Sequence, residues 1–175
     1  MNKTWIALFS QTGGEIVEIS RALGRWPDVI LTNKRPEHLR EINSEIPREL
    51  LIEVPNRPTV EDYKKLIPEG SLVTLHGWLR ILPKEICERY KIYNGHPGLI
   101  SRFEHLKGKD PQIRAFKEKL PVMGCVIHKV TAGVDEGRII AEEKFNSVGI
   151  TEEQMWRTLK DRSLYLWINF LHKVL

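Results

Sequence analysis

Short apolar runs alternate with amphipathic segments through the first half of the chain, and this alternation limits the fold more than any other feature. Trp5 to Phe9, Asp28 to Thr32, Leu50 to Val54 and Ser71 to Leu75 are each too short for a stable helix. Apolar residues fill most of each run, the pattern of strands buried on both faces of a parallel sheet. Between them, Glu15 to Leu23 has helical spacing, Pro36 to Ile42 is charged and reads as helical, and Val60 to Ile67 reads as a helix capped by Thr59. Pro83 to Tyr90 opens with a proline, which suits a first helical turn. Strand and helix in alternation predict an α/β domain with a largely parallel, twisted sheet.

After Lys91-Ile-Tyr-Asn94 the pattern changes. His96-Pro-Gly98 breaks the strand, a basic loop runs to Pro111, and Gln112 to Lys119 has helical character. Two extended segments follow, Val122 to Thr131 and Arg138 to Val148. The short turn between them predicts an antiparallel pair. Thr151-Glu-Glu-Gln154 is a capping box, and it opens a long C-terminal helix. Met155, Leu159, Leu166, Phe170 and Val174 give this helix an apolar stripe for the core, with an oligomer contact (a homo-oligomer) as a possible use of its end. No linker or repeat divides the sequence, and 175 residues suit one domain spanning residues 1–175.

Composition narrows the setting. Hydrophobic residues make up 41% and charged residues 29%, as in soluble globular proteins. No apolar run is long enough to cross a bilayer, and the N-terminal stretch lacks a signal-peptide pattern, so no membrane partner is expected. Two cysteines, Cys87 and Cys125, argue against a disulfide scaffold and for a reducing, cytoplasmic location. The net charge of +4 is too small to imply nucleic acid by itself. Between Ser101 and Lys119 six basic and three acidic residues leave +3, which points to a small anionic ligand or to a solvated surface.

Three loops follow strands at the end where open parallel sheets bind ligands: Ser10 to Gly14, His76 to Leu82, and Asn94 to Pro97. In an extended chain Asn94 and His96 point to one face. An amide beside an imidazole can stabilise an oxyanion and move a proton; the same residues also make a polar turn closed by Pro97. In Gly133-Val-Asp-Glu-Gly137, Asp135 is a carboxylate able to orient His96 and raise its pKa, or simply a turn residue. Ser10-Gln-Thr-Gly-Gly-Glu15 has the form of a helix-start anion loop or of an ordinary strand-to-helix turn; Glu15 would oppose a phosphate there. It lacks the spacing of a dinucleotide loop and the lysine of a P-loop. The six histidines show no metal-ligand spacing, so no metal is expected. His128 reads as a structural histidine, and Cys125 as a small buried hydrophobe.

Taken in order, these motifs resemble the folate-dependent formyltransferases, and in size and layout the phosphoribosylglycinamide branch of that family. Gly77-Trp-Leu-Arg-Ile-Leu82 resembles the family's Gly-Phe-Met-Arg-Ile-Leu folate loop, and Asn94-Gly-His-Pro97 its Asn-x-His-Pro strand end. Lys107-Gly-Lys-Asp-Pro111 is similar to a basic-Gly-x-x-Pro element. Gly124 to Thr131, followed by Asp135-Glu-Gly137, resembles the Gly-x-x-x-His-x-Val-Thr strand and its Asp-Gly-Gly turn. The resemblance implies a Rossmann-like formyltransferase fold with Asn94, His96 and Asp135 as catalytic residues. It implies 10-formyltetrahydrofolate as formyl donor and a small amine, by default glycinamide ribonucleotide, as acceptor in purine biosynthesis. Backbone groups of Arg80, Ile81 and Leu82 and of Ala132, Gly133 and Val134 would hold the pterin. Thr12, Gly13 and Gly14, with Lys107, Gly108 and Pro111, would line the acceptor side. Three features depart from the pattern: Glu15 replaces the first loop's asparagine, Gly98-Leu-Ile-Ser101 replaces Ser-Leu-Leu-Pro, and Glu136 replaces the first glycine of the Asp-Gly-Gly turn. Another amino sugar, nucleotide or modified base is the alternative acceptor, and a non-catalytic folate- or nucleotide-binding protein the alternative class.

Overall fold

In the computed structural model, which describes residues 3–175, seven strands form one sheet in the order β3-β2-β1-β4-β5-β6-β7. Residues 1 and 2 of the expected domain lie outside the described residues. The strands are β1 (Trp5–Phe9), β2 (Val29–Thr32), β3 (Leu51–Glu53), β4 (Leu72–Leu75), β5 (Lys91–His96), β6 (Val122–Lys129) and β7 (Ile139–Asn146). β1 to β5 run parallel, and β6 and β7 join antiparallel. The mostly parallel α/β sheet with an antiparallel C-terminal pair is therefore present.

Period-two alternation explains why the central runs are apolar throughout. In β1, Trp5 packs with the long C-terminal helix and Ala7 and Phe9 with the first helix, while Ile6 and Leu8 pack into the cluster on the other face. The first face is covered by α1 (Gly14–Leu23) and α5 (Glu152–Val174), the second by α2 (Val60–Leu66) and α3 (Lys84–Arg89). A short α4 (Pro111–Lys117) follows the basic loop.

Local chemistry sets the helix starts. Thr59 and Thr151 both make full capping boxes, with Asp62 and Gln154 respectively. Pro83 stands one position earlier than the sequence suggested, as the N-cap of α3. Pro36–Glu41 forms a 3-10 helix rather than an α-helix. Its charged sequence buries no residue, so nothing selects the longer form. Met155, Leu159, Leu166 and Phe170 of the α5 stripe are buried, joined by Trp167 and Leu171. No helix among the described residues is long and apolar enough to cross a membrane.

Candidate active site

β5 delivers two side chains to one point. Tyr93 and Gly95 face α5: the Tyr93 ring stacks edge-on against Phe170 at 4.8 Å, and a Cβ on Gly95 would stand 2.8 Å from Trp167 Nε1. Asn94 and His96 therefore face the other side. The antiparallel neighbour β6 sets His128 directly across from Asn94 and Val126 across from His96. A bulge between Ile127 and His128 then leads into the turn that carries Asp135. Asp135 has a positive φ of 53°, a conformation that aspartate tolerates better than most residues.

Four side chains converge there. His96 Nδ1 lies 3.4 Å from Asp135 Oδ2, and His128 Nε2 lies 3.3 Å from Asp135 Oδ1 and 3.3 Å from Asn94 Nδ2. His96 Nε2 is 3.0 Å from the Leu106 carbonyl, which can only accept a hydrogen bond. That carbonyl fixes the neutral ring's proton on Nε2 and leaves Nδ1, facing Asp135, as the nitrogen that titrates. The Gly108 N–H donates to Asp135 Oδ2 at 2.8 Å, tying the basic loop to the same carboxylate.

Burial corrects one sequence-based expectation. Asp135 does favour the charged imidazole, but desolvation of His96 is the larger effect and holds its pKa below the ordinary histidine value. His96 thus stands neutral at neutral pH rather than as the imidazolium. Burial raises the Asp135 carboxyl; the hydrogen bond from His128, the neighbouring His96 and the Gly108 N–H outweigh it and hold the group below its usual range.

A cleft of about 500 Å³ opens beside Asp135, lined by Ile100, Arg102, Lys107 and Gly137 among others. Lys107, Gly108 and Pro111 are all brought to this region. Pro111 packs so closely that a Cβ on Gly98 would stand 2.7 Å from its Cβ and 3.0 Å from His96 Nε2. Leu79 and Ile81 on one loop and Val134 on the other expose their apolar side chains beyond the strand ends. The Arg80 guanidinium is engaged with the Asn56 carbonyl and side chain, at 2.7 and 2.5 Å, which leaves its backbone as the part free for a ligand. Thr12, Gly13 and Gly14 form the turn into α1, where Thr12 Oγ1 accepts from the Gly14 N–H at 3.3 Å. That turn is braced by the Asn43 N–H on the Thr12 carbonyl. Among the described residues no group of three or more His, Cys, Asp or Glu side chains is arranged to hold a metal ion.

The family profile described as formyl transferase matches residues 33–175. The chain belongs to the formyl transferase family. A formyl transferase relative from Bacillus subtilis, a phosphoribosylglycinamide formyltransferase, is 32% identical over 96 residues, 54% of this chain and 46% of that protein. A methionyl-tRNA formyltransferase from Sulfurihydrogenibium is 32% identical over 122 residues, 69% of this chain and 37% of the relative. The chain thus spans less than half the length of these curated relatives. Among solved formyl transferases, the phosphoribosylglycinamide formyltransferase of Campylobacter jejuni superposes with a TM-score of 0.79 at 20% identity, covering 98% of each chain. That of Bacillus halodurans gives 0.72 at 24% identity, covering 97% of this chain and 94% of the other.

Two residues of this formyl transferase stand differently from what their sequence context suggests. His128 lies between Asn94 and Asp135, and the signal for it was its register opposite Asn94, which needs the strand pairing to be known. Glu15 turns inward instead of lining an anion loop, meeting His76 Nδ1 at 2.7 Å and the Ser163 hydroxyl at 2.9 Å.

Proposed function

We propose that this chain is a single-domain, cytoplasmic enzyme that moves a formyl group from 10-formyltetrahydrofolate to the amine of glycinamide ribonucleotide in purine biosynthesis. The convergence of Asn94, His96 and Asp135 beside an open cleft, in a member of the formyl transferase family, carries this reading. The exposed Ile81 and Val134, 75% and 51% accessible, suit the flat apolar faces of a pterin ring, and Arg80, Ile81, Leu82, Ala132, Gly133 and Val134 would hold it. The donor supplies an electrophilic formyl carbon and a nitrogen leaving group.

The protein's side chains then divide the work. Attack by the neutral amine puts negative charge on the formyl oxygen and positive charge on the amine nitrogen. The Asn94 amide donates to that oxygen. His96 Nδ1, unprotonated at neutral pH, accepts a proton as the charge develops, and Asp135 stabilises the resulting imidazolium. The same proton is returned to the leaving nitrogen, so none is gained or lost overall. Lys107, Gly108, Pro111 and the Thr12 to Gly14 turn would hold the anionic acceptor.

The decisive assay follows loss of 10-formyltetrahydrofolate with a panel of amines. Turnover with glycinamide ribonucleotide is expected. Turnover with another amine alone would overturn the acceptor, and no turnover with any of them would overturn the activity.

A further inference from the structure

The face of the sheet behind Asn94 and His96 carries a second histidine–carboxylate pair, the buried His76 with a partly exposed Glu15, which has no part in the proposed chemistry. Trp5 Nε1 donates to Thr74 Oγ1 at 2.8 Å, and Thr74 Oγ1 lies 2.9 Å from His76 Nε2. The Glu15 carboxylate can only accept, so His76 Nδ1 carries a proton and donates to it. Glu15 comes from the start of α1, His76 from the end of β4, and Ser163, the other donor to Glu15, from α5. The His76 ring packs on the Trp167 indole with centroids 4.6 Å apart. The indole presses on the one position of β5 that has no side chain, Gly95.

We propose that Glu15, His76 and Trp167 are positioning residues that set, through Gly95, where Asn94 and His96 stand. Gly95 sits between the two, so any displacement of the indole is passed to both. The stack also ties the α1 start to the same strand end. Close packing leaves no slack at Gly95, because a Cβ there would fall within 2.8 Å of Trp167 Nε1. Displacement of reacting groups by about 1 Å can cost about a hundredfold in rate. The proposal rests on the formyl-transfer reading of Asn94 and His96.

The test begins with formyl transfer by the wild-type protein, whose absence overturns that reading and not this one. Gly95→Ala should then lower kcat about a hundredfold while both KM values stay within about twofold. Gly95→Ala combined with Trp167→Phe should recover about tenfold, because the smaller ring makes room for the new methyl. Glu15→Gln, close to isosteric, should lower kcat about tenfold on the same pattern. A Gly95→Ala protein with wild-type kcat, or a double variant no faster than the single one, overturns the proposal. So does an unchanged kcat in Glu15→Gln, which decides the matter should Gly95→Ala not fold. Independently of activity, Trp167→Phe should move the His96 ring resonances and titration midpoint in NMR spectra; an unmoved His96 overturns the proposal.

Discussion

Two histidine–carboxylate pairs, each with a buried histidine, occupy opposite faces of the same sheet end, and they are built differently. His76 and His96 are nearly equally hidden, at 6% and 5% exposure. His76 sits 2.7 Å from Glu15, and both of its ring nitrogens have partners. His96 sits 3.4 Å from Asp135, beyond good hydrogen-bond distance for a ring whose Nδ1 carries no proton. In the first pair both ring nitrogens of His76 are engaged, although the Glu15 side chain is more exposed than that of Asp135. The second lies beside a cleft through Asp135, with His96 Nε2 fixed by Leu106 and Nδ1 only loosely set against the carboxylate. A ring with both nitrogens engaged holds structure; a ring with one nitrogen left to titrate can carry a proton.

The largest expected effect separates the two at once. His96→Ala should still fold and should lower turnover at least about a hundredfold. Wild-type-like turnover in the folded variant would remove His96 from the mechanism. Asp135→Asn is the next step down, with an expected loss of about tenfold to a hundredfold. It keeps the side chain's shape but removes the charge that favours protonated His96. His96 should therefore titrate lower in Asp135→Asn than in the wild type, by histidine NMR; an unmoved or higher midpoint would show that the Asp135 charge does not favour the protonated ring.

How far the sequence discloses these pairs depends on the distance over which each is assembled. The strand alternation, the capping boxes at Thr59 and Thr151, and the shared face of Asn94 and His96 are local, and each can be read from a few residues. Asp135 is legible only through family resemblance, since nothing local aims a turn aspartate at a histidine 39 positions earlier. His128 needed the β5–β6 register. Glu15 and Ser163 are 148 residues apart, and their meeting follows from helix packing that no local pattern encodes. The protonation state of His96 is hidden from the sequence for a related reason. Charge proximity can be inferred from a motif, whereas burial is a property of the folded whole.

Acid should take the pairs apart in sequence. His96 has a folded pKa below its ordinary 6.5, so the unfolded chain binds more protons between the two values. Its contribution is fully present above about pH 6.5 and is lost as pH falls through the folded value. Burial raises the Glu15 carboxyl, but His76 and Ser163 hold it below its ordinary 4.5, so its contribution is present above that value and lost further into acid. Denaturant titrations should show stability falling first below about pH 6.5, with that step absent in His96→Ala. A step that persists in the variant would assign it to another group.

The smallest effect tests whether stability and turnover are separable at all. Thr151 caps α5 through the Gln154 N–H at 3.2 Å, while the Thr151 N–H donates to the Gln154 side chain at 2.9 Å. α5 carries both Ser163 and Trp167, but this cap is three turns away from Ser163 along the helix. Thr151→Ala removes one side-chain acceptor and should cost about 1 kcal/mol in denaturant melts. Fraying confined to the first turn leaves the Glu15–His76–Trp167 stack seated, so kcat should stay within about twofold of wild type. If kcat instead falls in step with stability, the two faces do not differ in kind, and loosening α5 anywhere disturbs the strand end that it covers.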